Sequence, residues 1–181
     1  MQGNYFAALP VRTPGAFLEA LRGSAPPGLR WFHPDDLHLT LAFFGKEDPH
    51  RIPALLEIMA RIAFDERAVT LGPLRALPRP RRFSALSFEV AAGAAEIENC
   101  IKTWRGPLLE TARCPPDPRT PLPHLTVARP DRKHPACRPR AILDWLQSLE
   151  PPSDQVHVLP PALYGWSPER PRRQFRIIRA C

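Results

Sequence analysis

Thiols, lysines and long apolar runs are scarce in this sequence of 181 residues. Its four cysteines form no C-x-x-C pair and show no zinc-ligand spacing, so we expect ordinary thiols of a reducing compartment. No apolar run approaches the roughly 20 residues that a membrane span needs. The first residues also lack the basic and apolar regions of a signal peptide. These absences favour a cytoplasmic protein that does not insert into a membrane.

Proline and arginine are abundant instead. The chain has 25 prolines but only 9 glycines, and the two together stay below the ~25–30% typical of low-complexity sequence. We therefore expect prolines to separate many short elements. The net charge is +7, because 22 arginines and 3 lysines outnumber the 18 acidic residues. Arginine suits phosphate oxygens, but GC-rich coding sequence gives the same excess, so charge alone decides little.

The hydrophobic patterns predict an α+β fold with antiparallel sheets, because strands and helices do not alternate strictly. We expect one domain over residues 1–181. Strands are predicted over 4–9, 29–32, 38–44, 69–77, 83–90, 124–129, 155–164 and 175–179. Helices are predicted from 13–14 to about 22, and over about 52–63, 94–109 and 139–149. A loop rich in proline fills 113–123.

A weak internal repeat relates the two halves of the chain. HLTLAFFG at 38–45 is followed by a helix and VTLGPLRAL, whereas HLTVARP at 124–130 is followed by a helix and VHVLPPALY. The offset between the halves is 86 or 87 residues, and basic turns at 79–82 and 170–173 precede the last strand of each. This repeat predicts two pseudo-symmetric lobes, each with an antiparallel sheet and flanking helices, around a shared active-site cleft.

Each half of the repeat begins with a His-x-Thr motif on a predicted strand. Side chains alternate along a strand, so His38 and Thr40 share one face, and His124 and Thr126 share another. A single such motif is more often a half-buried structural histidine. Two copies in matching contexts instead favour a catalytic pair.

Two histidines and two hydroxyls can cleave a phosphodiester without metal. An imidazole has a pKa near 6.5, so one histidine can accept a proton from water while the other gives one to a leaving alkoxide. Each threonine hydroxyl can donate to a non-bridging phosphate oxygen. We therefore predict catalytic roles for His38, Thr40, His124 and Thr126, and no cofactor.

The motifs and their flanks resemble the 2H phosphoesterases, and within them the RNA 2',3'-cyclic phosphodiesterases historically called 2'-5' RNA ligases. The resemblance rests on NYFAALPV, WFHPDDLHLTLAFFG, PLPHLTVAR and LYGWSPERPRRQFRII, which span most of the chain. It implies a bilobal α+β fold and hydrolysis of RNA 2',3'-cyclic phosphate ends, or of small 2',3'-cyclic nucleotides, to 2'-phosphomonoesters. It also allows reversible 2'-5' ligation, and we expect a monomer.

The same resemblance implies roles for individual residues. His38 would protonate the 3'-oxygen leaving group, and His124 would activate water. Arg129 matches an arginine that helps to hold the phosphate. Simple alternation from His124 would put Arg129 on the opposite face, although the strand ends nearby at Pro130. The first motif has Phe43 at the equivalent place.

Other readings are open from the residues alone. The segment 33–38 holds two histidines and two aspartates and could belong to a metallohydrolase, but nothing else in the sequence completes a coordination shell. The basic turns at 79–82 and 170–173 could instead mark a non-catalytic RNA-binding module. Of the tryptophans, which are more often core or cleft-wall residues, only Trp166 in the LYGW turn is a candidate for contact with a ligand.

Overall fold

The computed structural model describes residues 3–14, 16–169 and 173–180. The fold is α+β, as the patterns predict. The described residues form nine strands: β1 Gly3–Arg12, β2 Leu29–Trp31, β3 His38–Glu47, β4 Arg67–Leu77, β5 Ala85–Val90, β6 His124–Pro130, β7 Gln155–Val158, β8 Ala162–Trp166 and β9 Phe175–Ala180. The same residues form four α-helices: α1 Phe17–Ser24, α2 Ile52–Met59, α3 Ala94–Thr111 and α4 Pro139–Ser148.

All recorded strand pairs are antiparallel, and they connect two groups of four strands. One group has the order β3-β1-β8-β9 and the other has the order β4-β5-β6-β2. The short strand β7 pairs with both β1 and β4 and so joins the groups. The two motif strands, β3 and β6, hold corresponding places in their groups. In one group β1 separates β3 from β8, and in the other β5 separates β6 from β4.

The repeat seen in the sequence reappears in the strand pairing. Val69 and Val156, which are separated by the repeat offset, lie directly opposite each other where β4 pairs with β7. A two-fold axis that relates the halves would pass between these two valines, because it would map each valine onto the other. The pairing is consistent with the two predicted lobes.

One part of the predicted repeat is wrong. The strands after the two basic turns, β5 and β9, do not hold equivalent places. β5 lies between β4 and the motif strand β6, whereas β9 is the edge strand beyond β8. The N-terminal strand β1 fills the corresponding place between β8 and β3. The physical reason is that β1 pairs with both β3 and β8, which leaves only the outer edge of β8 for β9.

Three predicted element bounds also need correction. Thr13-Pro14 does not start a helix directly, because α1 begins at Phe17 with Ala16 as its N-cap. Gly45 does not end β3, since it takes a positive φ of 72° and pairing continues through it to Glu47. The strand predicted over 155–164 is two strands, because Pro160 and Pro161 lack the N–H groups that a continuous ladder needs.

The hydrophobic core is continuous across both groups, and a second, smaller cluster lies beside His38. Phe6, Ala8, Ala162 and Tyr164 form this smaller cluster, with Phe175 packed against it. His38 contacts three of these rings, so the small cluster forms the floor of the region where the first motif lies.

Candidate active site

The two His-x-Thr motifs lie at the starts of their strands and in matching positions. His38 and Thr40 are partly exposed, while Leu39 is buried between them. The second motif repeats this pattern, with Leu125 buried between the partly exposed His124 and Thr126. Alternation therefore places each histidine and threonine on one accessible face, as predicted.

A β-bulge follows each motif at the same position. In β3, Ala8 is opposite Thr40 but Ala7 is opposite Ala42, so Leu41 is an extra residue. In β6 the extra residue is Val127, because Ser87 is opposite Thr126 and Leu86 is opposite Ala128. A bulge places two successive side chains on one side and shifts the alternation by one residue beyond it.

The bulge decides where Arg129 lies. Beyond Val127 and Ala128, which are both buried, Arg129 is exposed on the same face as His124 and Thr126. Its charge is near enough to contribute to the lowered pKa of His38 in the other strand group. Phe43 holds the same place in the first motif and is 55% exposed. Simple alternation would place Arg129 on the face opposite His124, and the extra residue at Val127 brings it to the same face instead.

Both histidines have their Nδ1 atoms fixed by the backbone. His38 Nδ1 lies 2.6 Å from the carbonyl oxygen of Asp36, and His124 Nδ1 lies 2.7 Å from that of Leu122. A carbonyl oxygen only accepts, so each Nδ1 carries the hydrogen and donates it. In the neutral rings Nε2 is then an unprotonated base. The two imidazoles thus offer equivalent atoms for proton transfer.

The surroundings of the two histidines differ. The His38 ring lies 4.8 Å from the ring of Phe6, 5.3 Å from that of Tyr164 and 5.3 Å from that of Phe175, measured between centroids. Burial lowers the pKa of His38 to about 4, and the nearby charges of His124 and Arg129 also lower it. His38 is therefore neutral at neutral pH in the ligand-free protein.

Asp36 connects His38 to the start of β9. Its buried carboxylate accepts the backbone N–H of Gln174 at 2.7 Å and that of Phe175 at 3.1 Å. Arg173 Nε lies 3.7 Å from the same carboxylate. Because the Asp36 carbonyl holds His38, one residue positions both the histidine and the aromatic ring packed on it. The sequence marks this only as an acidic residue two places before the motif.

Ser87 is a second residue that sequence reasoning missed. It is fully buried, and its Oγ lies 2.9 Å from Oγ1 of Thr126 on the neighbouring strand. The available signal is a polar residue among buried neighbours in the strand ALSFEV. Arg30 was also missed, although it lies directly opposite Arg129 where β2 pairs with β6.

The segment 33–38 does not gather metal ligands. Within the described ranges, no group of three or more His, Cys, Asp or Glu side chains is arranged to hold a metal ion. The imidazole of His33 accepts the N–H of Asp35 at 3.2 Å, and the Asp36 carboxylate is occupied as described above. The segment therefore orders the chain before β3.

The other sequence features lie as follows. The turn at 79–82 is an exposed 3₁₀ turn. Of the basic turn at 170–173, only Arg173 falls within the described residues, and Trp166 is 42% exposed at the end of β8. Cys100, Cys114 and Cys137 are thiols, and Cys181 lies outside the described residues. Among the described helices, none has the length and apolar character needed to cross a membrane.

Comparisons with known proteins agree with this fold. Residues 15–83 match the family model described as LigT like Phosphoesterase. The fold matches E. coli LigT, crystallised with 3'-AMP, with a TM-score of 0.73 and 21% identity over 100% of this chain and 98% of that one. A crystal structure described as a phosphoesterase matches with a TM-score of 0.71 and 22% identity, over 99% of this chain and 97% of that one. The protein TT0787 of Thermus thermophilus matches with a TM-score of 0.64 and 20% identity, over 97% of this chain and 95% of that one.

A comparison with curated proteins gives no match. The chain has the fold of LigT, and the partial match to the LigT like Phosphoesterase model agrees with the resemblance predicted from the motifs. The family model covers residues 15–83, which include the first His-x-Thr motif but not the second.

Proposed function

We propose that this protein hydrolyses RNA 2',3'-cyclic phosphate ends to 2'-phosphomonoesters without a metal ion. The observation that carries the proposal is the matching arrangement of His38 and His124, each with Nδ1 held by a backbone carbonyl and Nε2 left for proton transfer. Two histidines in the same tautomer suit a reaction in which one proton is taken and another is given.

The reaction balances with these residues alone. One imidazole takes a proton from water, and the water oxygen attacks phosphorus. The bond between phosphorus and the 3'-oxygen breaks, and the other imidazole, protonated, gives its proton to that oxygen. The product is a 2'-phosphomonoester with a free 3'-hydroxyl. Thr40, Thr126 and Arg129 donate to the non-bridging oxygens as charge develops on them.

The resemblance assigns the acid to His38 and the base to His124. Burial lowers the pKa of His38 in the ligand-free protein, so His38 must gain its proton when substrate is present. A bound phosphate favours this, because a negative charge within about 4–6 Å stabilises the protonated imidazole. Substrate binding would then prepare the acid.

Phosphate-bearing ligands are known for a structural relative. E. coli LigT has been crystallised with 3'-AMP, ATP, NADP+ and phosphate. These ligands support a phosphate-binding site in the shared fold. RNA ends and small 2',3'-cyclic nucleotides are the substrates we propose. We also propose that the protein is cytoplasmic and monomeric, and that reversible 2'-5' ligation is a second reaction of the same site.

Incubation of the protein with a 2',3'-cyclic nucleotide in excess EDTA tests the proposal. We expect formation of the 2'-monophosphate at the same rate with and without the chelator. Loss of turnover on chelation, restored by added metal, would support a metallohydrolase. Binding of RNA without any turnover would support a non-catalytic RNA-binding module.

A further inference from the structure

Arg30 and Arg129 form a pair of like charges directly opposite each other on β2 and β6. Side chains directly opposite on antiparallel strands stand on the same face, about 4.5–5.5 Å apart at Cβ. Because the bulge at Val127 turns Arg129 onto the face of His124 and Thr126, Arg30 lies on that face as well. Both arginines are exposed.

Within the part of the chain that the structure describes, neither guanidinium of the pair has an acidic partner. Among the described residues, no carboxylate forms a salt bridge with Arg30 or Arg129, and neither side chain makes a hydrogen bond. Several other arginines do have acidic partners, such as Arg75 with Glu89 and Arg140 with Asp144. Like charges directly opposite on neighbouring strands are destabilising. A bound anion would remove this repulsion.

The position of Arg129 is fixed by more than its strand. Its guanidinium lies 5.8 Å from the ring centroid of Phe32, Phe32 lies 5.9 Å from Phe175, and Phe175 lies 5.3 Å from His38. Arg129 is thus connected to the floor beneath His38. Arg30 lies on β2, and β6, which carries Arg129, lies between β2 and β5. The pair therefore extends the site outward across the sheet.

We propose that Arg30 binds a second phosphate of the substrate, next to the cyclic phosphate held by Arg129. This inference rests on the proposed function and narrows its substrate class. The second phosphate is the 5'-phosphate of the terminal nucleotide, which joins it to the rest of an RNA chain. The preferred substrate is then an RNA end, and a nucleoside 2',3'-cyclic phosphate with a free 5'-hydroxyl, which has only one phosphate, leaves Arg30 without a partner.

Two matched substrates and two matched variants test this inference. The substrates are a nucleoside 2',3'-cyclic phosphate with a free 5'-hydroxyl and the same compound with a 5'-phosphate. The variants are Arg30→Gln and a control, Arg61→Gln. Arg61 is exposed just after α2 and, like Arg30, has no side-chain partner among the described residues.

For the wild type we expect kcat/KM to be at least about 10-fold higher with the 5'-phosphate, as one hydrogen bond to a charged group would give. Arg30→Gln should abolish this preference while turnover of the 5'-hydroxyl compound stays within about 2-fold of wild type. Arg61→Gln should keep the preference. The advantage of the 5'-phosphate should also shrink as salt increases.

The outcomes separate this inference from the proposed function. Equal turnover of both compounds by the wild type would overturn the role of Arg30 and leave the proposed reaction intact. An equal loss on both compounds in Arg30→Gln would also overturn it, since Arg30 would then act on the cyclic phosphate or on the fold. Turnover of neither compound would overturn the proposed reaction and, with it, this inference.

Discussion

The hydroxyls of Ser87 and Thr126 form a hydrogen bond between neighbouring strands. The two oxygens lie 2.9 Å apart, and Ser87 is fully buried, so its hydrogen cannot reach water. Within the described part of the chain, the side chain of Ser87 has no other partner. A buried hydroxyl needs an acceptor, so Ser87 donates and Thr126 accepts. The hydrogen of Thr126 is then left to point into the site.

Replacing Ser87 with alanine should therefore weaken catalysis without removing any group that touches substrate. Thr126 would lose the partner that orients it, and the loss of one neutral hydrogen bond is typically about 0.5–1.5 kcal/mol. We expect kcat to fall roughly 2- to 10-fold, with KM nearly unchanged. Steady-state kinetics on a 2',3'-cyclic nucleotide measure both constants.

Ser24→Ala is a matched control for this variant. Ser24 Oγ accepts the indole N–H of Trp145 at 3.2 Å, and this bond joins α1 to α4 without involving a motif residue, so its loss should lower stability and leave kcat unchanged. If Ser87→Ala kept the wild-type kcat, the hydroxyl pair would be a packing contact only.

The buried environment of His38 should make folding sensitive to acid. Its pKa is about 4 in the folded protein, below its ordinary value of 6.5. Between these two values the unfolded chain binds more protons than the folded one, so the free energy of unfolding falls as pH falls. We expect a loss of about 2 kcal/mol between pH 7.5 and pH 5 from this group.

Urea unfolding of the wild type and of His38→Gln at both pH values measures this contribution. His38→Gln lacks the titrating imidazole. From pH 7.5 to pH 5 its free energy of unfolding should therefore fall by about 2 kcal/mol less than that of the wild type. The hydrogen bond with Arg119 lowers the pKa of Asp117 to about 2, so Asp117 titrates below this pH range. Parallel losses in both proteins would show that His38 is not held neutral by burial.

Alternation along a strand was enough to predict that each histidine shares a face with its threonine. It could not place Arg129, because the extra residue at Val127 becomes visible only when β6 is paired with β5. Hydrophobic pattern alone reads Val127 and Ala128 as ordinary strand residues. The register of two strands distant in sequence decided the position of a candidate phosphate ligand.

The partners of the motif residues were also beyond the sequence. Asp36 appeared as a metal-ligand candidate, yet its carboxylate accepts backbone N–H groups of residues more than a hundred positions away. Similarly, the place taken by β1 could not be read from the repeat, since β1 has no repeat partner. Contacts between segments that are distant in sequence leave no local pattern.

The two histidines should act as a unit. His38→Ala and His124→Ala should each lower kcat by roughly 10²–10⁴, as loss of a general acid or base does. The double variant should lose far less than the product of the two effects, because each proton transfer needs the other. His157→Ala provides the control, since His157 is exposed and pairs with Glu66 at 3.0 Å. Near-normal turnover by either single variant would contradict the assignment.

Substitution of the threonines separates hydroxyl donation from packing. Serine keeps the donor and loses a methyl group, whereas valine keeps the β-branched shape and loses the donor. Thr40→Ser and Thr126→Ser should therefore be mild, and Thr40→Val and Thr126→Val should lower kcat by about 10-fold or more, as loss of an oxyanion donor does. The circular dichroism spectra should match the wild type in all four variants.

Thr126→Val carries an additional consequence that Thr40→Val does not. It leaves the buried hydroxyl of Ser87 without an acceptor, which costs about 1–3 kcal/mol, whereas Thr40 is opposite Ala8 and leaves no such group. Thr126→Val should therefore be less stable to urea than Thr40→Val by about that amount. The double variant Ser87→Ala, Thr126→Val should recover the stability but not the turnover. If it recovered both, the Thr126 hydroxyl would matter only as the partner of Ser87, and not as a donor to phosphate.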